Sequence, residues 1–329
     1  MAALIEATRW HWVVFVVCVL FFLALDLGVF HRHAHVVQFR EALGWTLLWV
    51  AVALAFGFFL APALVGQWGR RETMEFVTGY LVELSLSMDN VFVIALLFAY
   101  FRVPAAYQHR VLFWGILGAL AMRGVMIAAG AALVQRFQWT LYLFGTFLVF
   151  SGVKMLFVAG EGVQPERNVV LRLARKLWPV TSEFNGQRFT VARDGRRALT
   201  PLALVLLMVE TTDLVFALDS IPAIFGVTTR PFIVFTSNVL AILGLRSLYF
   251  VLAAAIGYFR YLKTGLSFVL AFIGGKMLLD PHDREPPLWF QMEIPTGLSL
   301  LVVAGIILLA MLFSVIAAWR ERHVRTRAS

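Results

Sequence analysis

Runs of about 20 mostly apolar residues recur from end to end of this 329-residue chain, each long enough to cross the hydrocarbon core of a bilayer as a helix. Nine such spans are expected, at roughly 10–31, 42–63, 76–100, 108–134, 138–158, 200–226, 231–256, 260–280 and 297–319. Composition agrees: 61% of the residues are hydrophobic, 14% are charged and the mean hydropathy is +0.83, too little polar surface to close around a soluble core. The expected fold is an all-α polytopic membrane protein, one transmembrane domain over residues 1–329. The first run carries Asp26 and is followed by no small-residue cleavage site, so it reads as a span and not as a removable signal peptide.

A net charge of +9 would suit nucleic acid, but the cations do not gather into a stripe with stacking aromatics. They sort by loop. With the N-terminus outside, the inner connections hold Arg32, Arg40, Arg102, Arg110, Arg167, Arg172, Arg175, Lys176, Arg188, Arg193, Arg196, Arg197, Arg260, Lys263, Arg320, Arg322, Arg325 and Arg327. The outer ones hold only Arg9, Arg70, Arg71, Arg136, Arg230 and Arg284. Eighteen against six favours an outside N-terminus and a cytoplasmic C-terminus. Trp10, Trp12, Trp68, Trp139 and Trp319 fall near span ends, where an amphipathic ring is at home. The lone Cys18 lies in an apolar run and reads as an inert thiol with no intrachain disulfide. The basic, turn-rich stretch 159–199 reads as a cytoplasmic linker.

Two stretches place acids inside these apolar runs: Glu83-Leu-Ser-Leu-Ser-Met-Asp89-Asn90 and Glu210-Thr-Thr-Asp213-Leu-Val-Phe-Ala-Leu-Asp219-Ser220-Ile-Pro222. A charge at membrane depth costs at least about 2.5–3.5 kcal/mol, so such groups persist where they face a polar path or a cation. Packing glue could explain one acid, but five in the two stretches, with Asp26 besides, point to an ion or proton path. Carboxylates, the Asn90 amide and the Ser220 hydroxyl are hard oxygen donors, suited to Mg²⁺, Mn²⁺ or Ca²⁺. Arg123, Arg246, Lys154 and Lys276 are cations within spans; the arginines would pair with surplus acids, and Lys276 would either tune charge or snorkel to an interface. The His31, His33 and His35 cluster reads as a wetted loop.

The two stretches belong to a longer repeat. Glu83-x5-Asp89-Asn90 aligns with Asp213-x5-Asp219-Ser220, Leu120-Ala-Met-Arg123 with Leu243-Gly-Leu-Arg246, with Gly115 facing Asn238, and Phe150-Ser-Gly-Val-Lys154 with Phe272-Ile-Gly-Gly-Lys276. Repeat A spans about 76–158 and repeat B about 200–280; the spans at 10–31, 42–63 and 297–319 are accessory. Three helices per unit is odd, so the copies would enter the membrane from opposite sides, an inverted 3+3 repeat of the kind that places transporter sites near the midplane. Positions seven apart return to one face of a helix within about 20°, so Glu83 stacks with Asn90 and Asp213 with Ser220, while Asp89 and Asp219 lie off those lines. Pro222 would break its helix beside Asp219 and turn that acid inward.

These motifs, with Thr236-Ser-Asn238-Val-Leu-Ala-Ile-Leu-Gly-Leu-Arg246, resemble the signature of the TerC/Alx family over nearly the whole chain. The resemblance implies a bacterial inner-membrane protein, associated with tellurium resistance by name and with manganese export in function. Carried over by position, Glu83, Asp89, Asn90, Glu210, Asp213, Asp219 and Ser220 match its acidic motifs, and Asp26 matches the acid of its first helix. The expectation is an alternating-access exporter whose cargo is Mn²⁺, with no prosthetic group, no nucleic-acid partner and no catalytic residues. Three alternatives stand beside it: a non-transporting scaffold in metal or tellurite stress resistance, an exporter of small amino acids, and an intramembrane aspartyl hydrolase, whose usual Gly-x-Gly-Asp setting is absent from the chain.

Overall fold

Local signals start the helices where the apolar runs begin. Pro201 and Pro231 each open a helix in its first turn, where a missing N–H leaves nothing unsatisfied. Glu72 accepts the Gly69 N–H at 2.8 Å and so caps another. The computed structural model describes residues 8–25, 39–157, 168–193, 196–254, 261–281 and 291–328. Its helices are α1 (Arg9–Leu25), α2 (Phe39–Ala55), α3 (Ala61–Leu64), α4 (Arg70–Tyr100), α5 (Ala105–Arg136), α6 (Thr140–Phe157), α7 (Val169–Leu177), α8 (Pro201–Phe225), α9 (Pro231–Leu243), α10 (Leu245–Ala254), α11 (Leu262–Leu279) and α12 (Thr296–Ala328). A π-helical turn, Phe56–Leu60, joins α2 to α3, and one antiparallel hairpin, β1 (Thr190–Arg193) with β2 (Arg196–Leu199), follows α7.

Among the described residues, seven helices are long and apolar enough to cross a membrane, eight when the bent pair α9 and α10 counts as one span. The expected ninth differs: α1 covers 17 described residues, short of the roughly 20 that a 30 Å core demands, and 26–31 lie outside the described residues. The expected span 76–100 begins earlier, at Arg70, because Glu72 and Glu75 form ion pairs that let the helix carry charge. Trp68, expected at an interface, is buried and donates to Thr73 Oγ1 at 3.1 Å.

The packing brings a few pairs into close register. α6 and α11 form the most extensive helix pair, and α4 lies against both α8 and α9 while α5 lies against α8 and α9. Glycine makes the α6–α11 approach possible: a Cβ on Gly274 would stand 2.6 Å from the Gly145 carbonyl oxygen, and one on Gly152 would stand 2.7 Å from that of Ser267. Because Gly145 meets Gly274 while Gly152 meets Ser267, the two helices run antiparallel. Buried side chains of α4, α5, α8 and α9 such as Val91, Leu112, Val205 and Ile233 fill the interior between them.

Pro222 does not break its helix. α8 is continuous from Pro201 to Phe225, and α4 is continuous across Ser87, Met88 and Asp89. Pro222 stands three residues from the end of α8, so its missing N–H removes one ladder bond in the last turns and leaves the remainder intact. The bend falls instead at Gly244, between α9 and α10, where the axes turn by 45°.

Candidate functional site

α4, α5, α8 and α9 enclose a polar centre with Arg123 at its middle. Its guanidinium, 2% exposed, ion-pairs with Glu83 of α4 and donates through Nη2 to Asp213 Oδ1 of α8 at 3.0 Å and through Nε to Asp213 Oδ2 at 3.3 Å. Nη1 also reaches Ser220 Oγ at 3.4 Å and Asn238 Oδ1 at 3.5 Å. Each carboxylate has an amide besides: Asn90 Nδ2 donates to Asp213 Oδ1 at 3.0 Å, and Asn238 Nδ2 donates to Glu83 Oε2 at 2.9 Å. Ser87 Oγ adds a longer bond to Glu83 Oε1 at 3.3 Å. Charge this deep in a helical bundle persists because every ion is paired and hydrogen-bonded.

Two more of the acids approach from a second face. Asp89 and Asp219 line one small cavity of about 10 Å³ with Asn90, Ser220 and Arg123, closed by Leu86, Met155, Phe216 and Leu266. Ser151 Oγ of α6 donates to Asp219 Oδ1 at 2.7 Å. Lys154 of α6 lies within electrostatic reach of Asp219, and Lys263 of α11 within reach of Asp89. The six-residue spacing that set these acids off the lines of Glu83 and Asp213 therefore aims them at α6 and α11 instead of away from the site. Two unbroken helices thus present two acidic faces, one to Arg123 and one to the cavity.

One atom of the centre lacks a partner. Asn90 Oδ1 is buried and accepts no hydrogen bond among the described residues, while its own Nδ2 is committed to Asp213. A buried acceptor without a donor is costly, about 1–3 kcal/mol, and needs an explanation in the chemistry of its surroundings. Set beside Asp89, Asp219 and Ser220, an oxygen of this kind suits a hard cation. In this conformation, among the described residues, no three His, Cys, Asp or Glu side chains gather closely enough to hold a metal ion.

The remaining sequence candidates lie elsewhere. Glu210 is on α8, three residues before Asp213, its carboxylate filling the space where a Cβ on Gly118 of α5 would stand. Arg246, the repeat partner of Arg123, meets His109 Nε2 of α5 at 3.1 Å. Lys276 lines a separate cavity of about 760 Å³ with Arg71, Glu75, Thr228, Arg230 and Asp280, so its charge acts there and not on the central acids. In that cavity Arg230 ion-pairs with Glu72, and Thr228 Oγ1 donates to Glu75 Oε2 at 2.6 Å. Sequence reasoning missed Glu72, Glu75 and Ser151; the first two fell outside the expected span, and a serine in an apolar helix carries no signal of its partner. Asp26 and His31, His33 and His35 lie outside the described residues.

Comparison with known proteins covers most of the chain. The family model described as "Integral membrane protein TerC family" matches residues 68–324. An uncharacterised membrane protein of Myxococcus xanthus is 50% identical over 318 residues, covering 96% of this chain and 94% of its own. An Escherichia coli (strain K12) protein named "Putative membrane-bound redox modulator Alx" is 44% identical over 326 residues, covering 96% and 97%. A membrane protein of Rickettsia bellii is 38% identical over 305 residues, covering 93% and 97%. No solved structure matches the chain.

Proposed function

The chain belongs to the TerC family of integral membrane proteins, and from that premise we propose that it exports a divalent metal cation, Mn²⁺ first among candidates, across the bacterial inner membrane. The observation that carries the reading is the buried, donorless Asn90 Oδ1 beside a cavity lined by Asp89 and Asp219. Carboxylate, amide and hydroxyl oxygens there are the ligands a hard cation selects. Oxygen chemistry alone admits Mg²⁺ and Ca²⁺ as well; Mn²⁺ follows from the family resemblance.

Acids outnumber cations at the centre itself. Glu83 and Asp213 pair with Arg123, while Asp89 and Asp219 line the cavity beside it, with Lys263 and Lys154 within electrostatic reach. Arg123 holds Glu83 and Asp213 in place and offsets part of their charge, leaving Asp89 and Asp219 to meet the ion. Glu210, three residues before Asp213 on α8, would supply a further oxygen near the centre. Protons are the natural counter-cargo, since a carboxylate that releases a metal ion can accept H⁺.

Alternating access is supported by how the helices pair. Exchange of α4, α5 and α6 for α8, α9–α10 and α11 maps the α4–α9 contact onto α5–α8, and α6–α8 onto α4–α11. The same exchange maps the Gly152–Ser267 approach onto Gly274–Gly145. Such pairing is what an inverted repeat with an axis in the membrane plane would produce. The loop cations favour an outside N-terminus and a cytoplasmic C-terminus.

A second reading, a membrane scaffold that moves no ion, is favoured by the lack of a three-acid metal group among the described residues. Purified protein in proteoliposomes separates the two: Mn²⁺ movement that depends on Asp89 and Asp219 supports the exporter, and vesicles as tight to Mn²⁺ as protein-free ones support the scaffold. Collapse of a pH gradient in the same vesicles reads the proton coupling.

A further inference from the structure

The stretch between the two three-helix units is more than a tether. α7 is capped by Asn168, whose Oδ1 accepts the Leu171 N–H at 3.0 Å, and it packs on α8 through the buried Leu171 and Ala174. At about 100° per residue, Val169, Val170, Leu173 and Leu177 share an arc of roughly 100° next to the buried pair. That arc is open: Val169 is 70% exposed, Leu173 53%, Leu177 58%, and the following Trp178 49%. Arg172, Arg175 and Lys176 occupy a third arc, flanked by Val169 and opposite the apolar side taken as a whole, and α7 carries no acid. The hairpin that follows adds exposed Arg197, the segment just before it adds exposed Arg188, and Phe189 next to β1 lies under the Arg110 guanidinium of α5 at 5.3 Å.

We propose that α7 lies in the membrane interface and binds anionic lipid headgroups, its Val169–Leu177 apolar arc in the acyl boundary and its cations on the phosphates. A helix with a wholly polar surround would hide its apolar arc in protein; this one opens it beside the helix ends of α5 and α8, where the bilayer surface must pass. Three cations on nine residues, with Arg188 and Arg197 in and beside the hairpin, complement an anionic leaflet and not a zwitterionic one. The contact is then made at the base of α8, the helix that carries Glu210, Asp213 and Asp219. The inference rests on the membrane reading and on the orientation proposed above, and not on the cargo.

The test uses full-length protein with Cys18→Ala and a nitroxide at Leu173→Cys or, separately, at Arg175→Cys, in vesicles of phosphatidylcholine with or without phosphatidylglycerol. With phosphatidylglycerol, the label at 173 is expected to be shielded from a water-soluble relaxation agent and open to oxygen, with the reverse at 175. Without it, or with Arg172→Gln and Lys176→Gln together, the shielding at 173 should fall severalfold. Equal access at both positions overturns the interfacial placement, and equal shielding in the two lipids overturns headgroup recognition. Neither readout involves transport, so an absence of Mn²⁺ movement leaves this test intact.

Discussion

Asn90 of α4 donates to Asp213 of α8 at 3.0 Å while its own Oδ1 stays buried without a donor. One amide thus ties two acidic helices together, and its residue lines the cavity shared by Asp89 and Asp219. Asn90→Leu keeps the volume and removes both roles. Mn²⁺ affinity, measured by calorimetry in detergent, is expected to fall at least about tenfold, which is about 1.4 kcal/mol. Unchanged affinity would mean that Asn90 is a strut only.

Arg123 makes the centre's charge tolerable, so its loss should be a stability defect before it is a transport defect. Arg123→Met leaves Glu83 and Asp213 buried and unpaired, and removal of one partner from such a group costs about 3–5 kcal/mol. Thermal melting in detergent should show a large drop, partly restored by adding Glu83→Gln and Asp213→Asn. Failure of the double neutralisation to restore any stability would contradict the charge argument.

Neighbouring glycines on α11 should respond with opposite signs. A Cβ on Gly274 would meet Gly145 O at 2.6 Å and Val149 N at 2.8 Å, backbone atoms that cannot yield, so Gly274→Ala is expected to cost about 1–3 kcal/mol. Gly275 has nothing within 4 Å of the same atom, and Gly275→Ala should stabilise the helix by about 0.5–1 kcal/mol. Chemical denaturation of the two variants side by side checks this.

The centre was legible in the sequence because acids in apolar runs are conspicuous, and the repeat register predicted that Glu83, Asp213, Asn90 and Ser220 share helix faces. What failed was the inference from Pro222. Periodicity tells which residues share a face of one helix but not which neighbour each face meets, so acids six apart looked misdirected when they were aimed at α6. The break that they seemed to need is absent, and the bend falls at Gly244, where no acid pointed. The α7 face was invisible for a different reason, since a nine-residue amphipathic helix inside a basic loop reads as a linker.

Orientation is open to a direct check. With Cys18→Ala and Asn185→Cys, in the exposed turn before the hairpin, a membrane-impermeant maleimide should label spheroplasts only after the membrane is opened. Labelling of intact spheroplasts would place this turn, and with it α7, on the outer face.

Under the proposed export, Asp89 and Asp219, two acids on separate unbroken helices, meet one transported cation in the cavity they share. The most direct measurement is Mn²⁺ flux in proteoliposomes for wild type, Asp89→Asn and Asp219→Asn, with melting temperatures recorded for each. The predicted result is a loss of flux of tenfold or more in both variants with little change in melting. Wild-type flux in both would contradict it.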